Sequence, residues 1–144
     1  NIYSIVQLSG MKKLLVPVDG SEYSKHAILE AGKLAERFGA KVSVLHVKPG
    51  VLVSPIYKSK EELAEDAKKV AQRSCAGLKR KKVRVEALGL VGDAATEILE
   101  MAKRGGYDLI IVGSKGLTDS KKFPQGSVSR KVVEQAPCNV LIVR

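Results

Sequence analysis

The chain has 144 residues, of which 44% are hydrophobic and 28% charged, the profile of one soluble globular domain with a single substantial core. No apolar run approaches the ~18 residues that a membrane span requires, and two cysteines without a CxxC cannot build a disulfide framework or a structural zinc site. The net charge of +10 invites a polyanionic partner, but 4% aromatic residues give no stacking platform for single-stranded nucleic acid.

Residues 1–10, "NIYSIVQLSG", are uncharged and lack the basic start and small-residue cleavage site of a secretory signal. They are read as an extension upstream of a natural start at Met11, and the protein is expected to be cytoplasmic. From Lys12 the pattern is regular. Apolar, β-branched runs at 14–18, 42–47, 83–91, 109–113 and 140–143 predict five strands. Helical stripes fall between them, carried by Ala27, Ile28, Ala31, Ala35 and Phe38, and then by Leu63, Ala67, Val70, Ala71 and Leu78. Ala95, Ile98, Leu99 and Ala102 make a third stripe, and Val128, Val132, Val133 and Ala136 a fourth. Gly39, Gly77 and Gly105-Gly106 sit at or near the expected helix ends. Alternation of this kind predicts one α/β domain over 11–144, its parallel sheet covered by helices on both faces. The one long irregular connection is "HVKPGVLVSPIYKSK" (46–60), interrupted by Pro49, Gly50 and Pro55. The single dense basic run, "KRKKVR" (79–84), falls where a helix ends and reads as a solvated face more readily than as a polyanion site.

Chemistry concentrates at two strand ends. Asp19 follows the first strand in "VPVDGS", and "GSKGLTDSKKFPQGS" (113–127) follows the fourth. In doubly wound sheets ligands lie at the carboxyl ends of strands. Gly126 and Ser127 open the last helix, whose N-terminal N–H groups suit phosphate. Gly113 and Gly116 would let the preceding loop turn further N–H groups inward as an anion nest, and Lys115, Lys121 and Lys122 supply positive charge. Against catalysis, the sequence has no GxxxxGK[ST] and no kinase motif set. Asp19, Asp93 and Asp119 are conceivable Mg²⁺ ligands, although acidic residues at such starts commonly cap helices. His26 reads as a surface residue and His46 as a packed imidazole rather than a base. Cys138 reads as half-buried, without thiol chemistry.

The spacing Gly113-x2-Gly116-x9-Gly126-Ser127 resembles the nucleotide-binding motif of the universal stress protein family. "LLVPVDGSEYSKHAI", "LHV" (45–47), "GDAATEIL" (92–99) and "GSVSRKVVEQAPCNVLIVR" (126–144) resemble that family's other landmarks in order and distance. The resemblance implies an open five-stranded parallel sheet of order 3-2-1-4-5, of the adenine nucleotide alpha hydrolase-like group, with its site between Asp19 and Gly113. It implies ATP, with or without Mg²⁺, as the ligand of a regulatory protein in stress response. Slow Mg²⁺-dependent ATP hydrolysis and a polyanion-binding module stay open as alternatives. Pro17, Val18 and Asp19 would line the adenine and ribose pocket, and Val47 would meet the adenine edge. Gly113, Ser114, Lys115, Gly116, Gly126, Ser127, Val128 and Ser129 would hold ribose and phosphates. "SKKFPQ" (120–125) is more polar than the leucine-rich stretch usual in the family, and Pro124 removes one backbone donor there. The exposed edge "NVLIV" (139–143) is expected to pair with its twin in a homodimer, as the family's dimers do.

Overall fold

The computed structural model describes residues 10–50, 58–79, 81–117, 119 and 125–144. Residues 1–9, Pro55, Lys121, Lys122 and Pro124, on which expectations above also fell, lie outside the described residues.

Five parallel strands, β1 (Lys13–Pro17), β2 (Lys41–Lys48), β3 (Val85–Val91), β4 (Leu109–Gly113) and β5 (Asn139–Val143), form one sheet of order β3-β2-β1-β4-β5. The helices are α1 (Glu22–Phe38), α2 (Lys60–Ser74), α3 (Ala94–Arg104) and α4 (Ser127–Gln135). Alternate strand residues point to opposite faces, so two cores form. Leu14, Val16, Val42, Val44, Leu109 and Ile111 pack against α1 and the end of α2 on one face. Leu15, Leu45, Ile110 and Val112 pack against Ile98 and Ala102 of α3 and Val132 of α4 on the other. Central strands buried on both sides are apolar continuously, which is why their runs carry no alternation.

Each helix begins for a local reason. Ser21 accepts from the Ser24 N–H to cap α1, and Ser59 forms a capping box with Glu62 at α2. Asp93 caps α3 by accepting from the Thr96 N–H and hydroxyl. α1 ends at Gly39, which is left-handed at φ 65°. Gly89 of β3 lies under α2, where a Cβ would overlap the backbone of Ala64 and Lys68.

Three expectations shift. Leu78, expected on the α2 stripe, lies in a 3-10 turn over Cys75–Leu78 and is buried all the same. β3 starts at Val85 rather than at 83, because the Val83 N–H turns back to the Lys81 carbonyl. Val133, expected on the α4 stripe, is 45% exposed.

At the amino ends of the strands a polar chain crosses the sheet. The buried Tyr107 hydroxyl donates to Ser43 Oγ at 2.7 Å, and Ser43 donates to Glu86, which pairs with Lys41. The carboxyl ends carry the cleft.

Candidate functional site

The strand order reverses between β1 and β4, so the connections leaving their carboxyl ends diverge and open a cleft. Its inner wall is apolar, built from Val18, Leu45 and Val47 on one side and from Val112, Ile98 and Val128 on the other. Its mouth is polar, with Asp19, Lys115, Gly116, Asp119 and Ser129. Pro17 and Gly113 also line it, so nine of the twelve expected site residues face this one space. Ser114, Gly126 and Ser127 do not line it. They lie just behind, where the Gly126 N–H donates to the Ser114 carbonyl at 2.6 Å.

Ser114 is a tie rather than a wall. It is 4% exposed; its N–H donates to the Val143 carbonyl, and its own carbonyl also accepts from Ser129 Oγ. This one residue fastens the loop after β4 both to the end of β5 and to the first turn of α4.

The three motif glycines are needed for close approach, not for an unusual backbone, since none is among the residues with positive φ. Their neighbours differ. At Gly113 a Cβ would stand 2.8 Å from the Tyr23 carbonyl carbon and Cβ, so this glycine makes room for the first turn of α1. At Gly116 it would stand 2.5 Å from Asp19 Oδ2. At Gly126 it would overlap Asp119 Oδ2 and lie 3.1 Å from the Lys115 Cα. Two of the three spaces are therefore taken by the chain's own carboxylates.

Asp19 joins the two strand ends. One carboxylate oxygen accepts from the Ser21 N–H and the other from the Leu117 N–H, each at 2.9 Å. The cap of α1 is Ser21, so Asp19 is not that helix's N-cap residue. A carboxylate offers about four acceptor positions, and two are left for a ligand.

Asp119 behaves differently from an ordinary cap. Gly126, the N-cap of α4, has no side chain to offer. Asp119 reaches the helix from eight residues earlier: Oδ1 accepts from the Ser127 N–H at 3.2 Å and from its hydroxyl at 3.3 Å. Oδ2 accepts from the Gly116 N–H at 2.6 Å. The Gly116 N–H holds the carboxyl below the usual aspartate range; Ser127 and the charge of Lys115 act in the same direction, against a smaller opposing effect of burial.

Several other titratable groups have partners of their own within the chain. His46 lines the cleft, but its Nδ1 lies 2.6 Å from the Val18 carbonyl. A carbonyl only accepts, so this nitrogen carries the proton. His26 Nδ1 meets the Arg144 carbonyl. Burial pushes the Cys75 and Cys138 thiols up, which keeps them protonated. In the basic run, Lys81 pairs with Glu36 and Arg84 donates to the Gly39 carbonyl.

Residue-type reasoning passed over Ile98 and Ala94, which face the cleft from α3. Ile98 carries the spacing of a core residue and serves both purposes. Only its position one turn after Asp93, at a helix start facing the strand ends, could have singled it out.

Residues 10–144 match the universal stress protein family. The chain belongs to that family. It is 35% identical over 145 residues to the universal stress protein YxiE of Bacillus subtilis, across 92% of this chain and 98% of that one. Universal stress protein UspA from Lactobacillus plantarum superposes with a TM-score of 0.80 at 26% identity, covering 92% of this chain and 97% of its own. A universal stress protein in complex with cAMP superposes at 0.73 with 24% identity, over 92% of this chain and 97% of that chain, a likeness of fold. The same fold recurs in family members bound to dAMP, from Archaeoglobus fulgidus (TM-score 0.69, 21% identity, 93% of this chain and 98% of that one), and to AMP, from Arabidopsis thaliana (0.62, 23%, 92% and 90%).

Proposed function

We propose that the protein binds an adenine nucleotide in the cleft between β1 and β4, with ATP as its working ligand. The observation that carries this reading is the division of one cleft into an apolar slot and a polar mouth. The slot between Val47 and Ile98 is walled by aliphatic side chains, suited to a purine ring. Asp19 stands where a ribose hydroxyl would donate. Beyond it lie the Gly116 N–H, the first turn of α4 and Ser129, the kind of backbone that receives phosphate. The complexes of relatives with cAMP, dAMP and AMP support the adenine part of the reading.

Among the described residues no group of three or more His, Cys, Asp and Glu is arranged to hold a metal ion. Mg²⁺ characteristically takes one or two carboxylates together with phosphate oxygens. It would accordingly enter with the polyphosphate, near Asp19 and Asp119.

The role is regulatory. Phosphoryl transfer demands an oriented nucleophile and a set of charge-neutralising groups, and the sequence carries neither a GxxxxGK[ST] nor a kinase motif set. Occupancy, rather than turnover, is the signal, and turnover should fall far below the ~1–100 s⁻¹ of kinases.

The test is mass spectrometry of small molecules released by denaturing the purified protein, followed by calorimetry with ATP, AMP and adenosine on the stripped protein. An adenine nucleotide retained at stoichiometric level, and saturable binding of ATP that Ile98→Trp abolishes, are the expected results. Absence of saturable binding for all three would overturn the reading.

A further inference from the structure

We propose that Asp119 is a built-in occupant of the phosphate site, which a phosphate-bearing ligand must displace, so that this residue sets how much a phosphate contributes to affinity. The inference rests on the nucleotide reading above and extends it to the site's discrimination among phosphorylated and unphosphorylated ligands.

The geometry is that of a bound anion. One carboxylate takes three donors from two separate segments: the Gly116 N–H, the Ser127 N–H and the Ser127 hydroxyl. These are the donors that the glycine spacing would otherwise turn toward a phosphate. The other side-chain caps, at Ser21, Ser59 and Asp93, each act from the N-cap position on the N–H three residues on. Here the N-cap is Gly126, and the space of its missing Cβ is filled by Asp119 Oδ2. The glycine admits a negatively charged oxygen, and the chain supplies one.

Two consequences follow for a ligand. Adenosine, which carries no phosphate and in the reading above meets Asp19 and the strand ends, would ask nothing of these donors. A nucleotide phosphate must first break the three contacts, and then shares the loop mouth with the carboxylate it has expelled. Like charges at short range oppose each other, so the phosphate's contribution is diminished twice.

The experiment is calorimetry on wild type, Asp119→Ala and Asp119→Asn with adenosine, AMP, ATP and inorganic pyrophosphate, in buffer free of divalent cations. The affinity for each phosphate ligand is read relative to that for adenosine in the same protein, and thermal melts show that the variants are folded. AMP, ATP and pyrophosphate should tighten at least tenfold in Asp119→Ala. In Asp119→Asn, which keeps the shape without the charge, they should tighten by less. Unchanged affinity for all three phosphate ligands in both variants would overturn the proposal. Weaker binding would overturn it too, by showing Asp119 to be a ligand contact. If adenosine and the nucleotides bind none of the proteins, the nucleotide reading fails, and pyrophosphate alone still decides: tightening upholds the role of Asp119, and no binding to Asp119→Ala ends it.

Discussion

Gly113→Ala should damage the fold rather than the ligand site, although Gly113 is the first glycine of the motif. The added methyl would lie 2.8 Å from the Tyr23 carbonyl carbon and Cβ and 3.0 Å from the Ser24 nitrogen. Neither side can yield cheaply. Gly113 is the last residue of β4, in register with Val143 of β5, and the first turn of α1 is pinned by Ser21 through the Ser24 N–H and hydroxyl. Overpacking of this kind costs about 1–3 kcal/mol. Replacing glycine also removes unfolded-state freedom worth about 0.4–1 kcal/mol in the opposite sense. The net loss should be about 1–2 kcal/mol, read as a lower urea midpoint at unchanged slope. Gly126→Ala provides the contrast, because its methyl meets chiefly the end of the Asp119 side chain, which can turn away, and the nearest backbone atom, the Lys115 Cα, is farther off at 3.1 Å. Its stability should change less and its pyrophosphate binding more. Gly113→Ala with wild-type stability, within about 0.5 kcal/mol, and lost ATP binding would refute this division of labour between the glycines.

Asp19→Ala removes the acceptor for the Ser21 and Leu117 N–H groups; ATP affinity should fall at least tenfold, about 1.4 kcal/mol, while the thermal midpoint of the ligand-free protein falls by only a few degrees, as read by calorimetry beside thermal melts. The Asp119 carboxyl is held below its ordinary value, first by the Gly116 N–H. A depressed folded-state value stabilises above the ordinary carboxylate range of about pH 4 and is lost as pH falls through the folded value; the Gly116 and Ser127 amide resonances should therefore hold steady at neutral pH and move together only below about pH 4, and movement near neutrality would contradict the assignment. β5 is an edge strand paired with β4 on one side, with Leu141 and Ile142 each 37% exposed. Antiparallel pairing of 139–143 in a homodimer would cover both its apolar surface and its unpaired backbone, so light scattering should give a dimer for wild type and a monomer for Val140→Lys with Ile142→Lys; a monomeric wild type would end this expectation.

The fold was legible because each strand of the sheet's interior is buried on both faces, so an apolar run such as "LIIVG" marks a strand by content alone. Local rules carried one helix start, since Asp93 beside Gly92 reads as a cap and is one, whereas the caps at Ser21 and Ser59 were not singled out. What local patterns could not carry was contact across distance. The reason for Gly113 lies at Tyr23, ninety residues earlier in the chain, and the neighbour of Gly116 is Asp19. Asp119 was legible as a cap or a metal ligand, but not as a carboxylate spanning Gly116 and Ser127, since nothing in a spacing says that a loop folds back on its own glycines. β3 began late for a similar reason. Val83 fits a strand by residue type, yet the turn at Lys81 takes its N–H.

The polar chain Tyr107–Ser43–Glu86 lies at the opposite end of the strands from the cleft. Ser43 and Val47 both belong to β2, and at about 3.3 Å per residue they are roughly 13 Å apart along the strand. Tyr107 belongs to the same core as Leu45, Ile98 and Val112 of the cleft wall, whereas Glu86 stands on the edge strand β3, outside that core. Energetic effects at distant sites with no shared partner add, so substitutions at Glu86 would adjust how long the protein survives without changing what it responds to, while those at Tyr107 would be felt in the cleft.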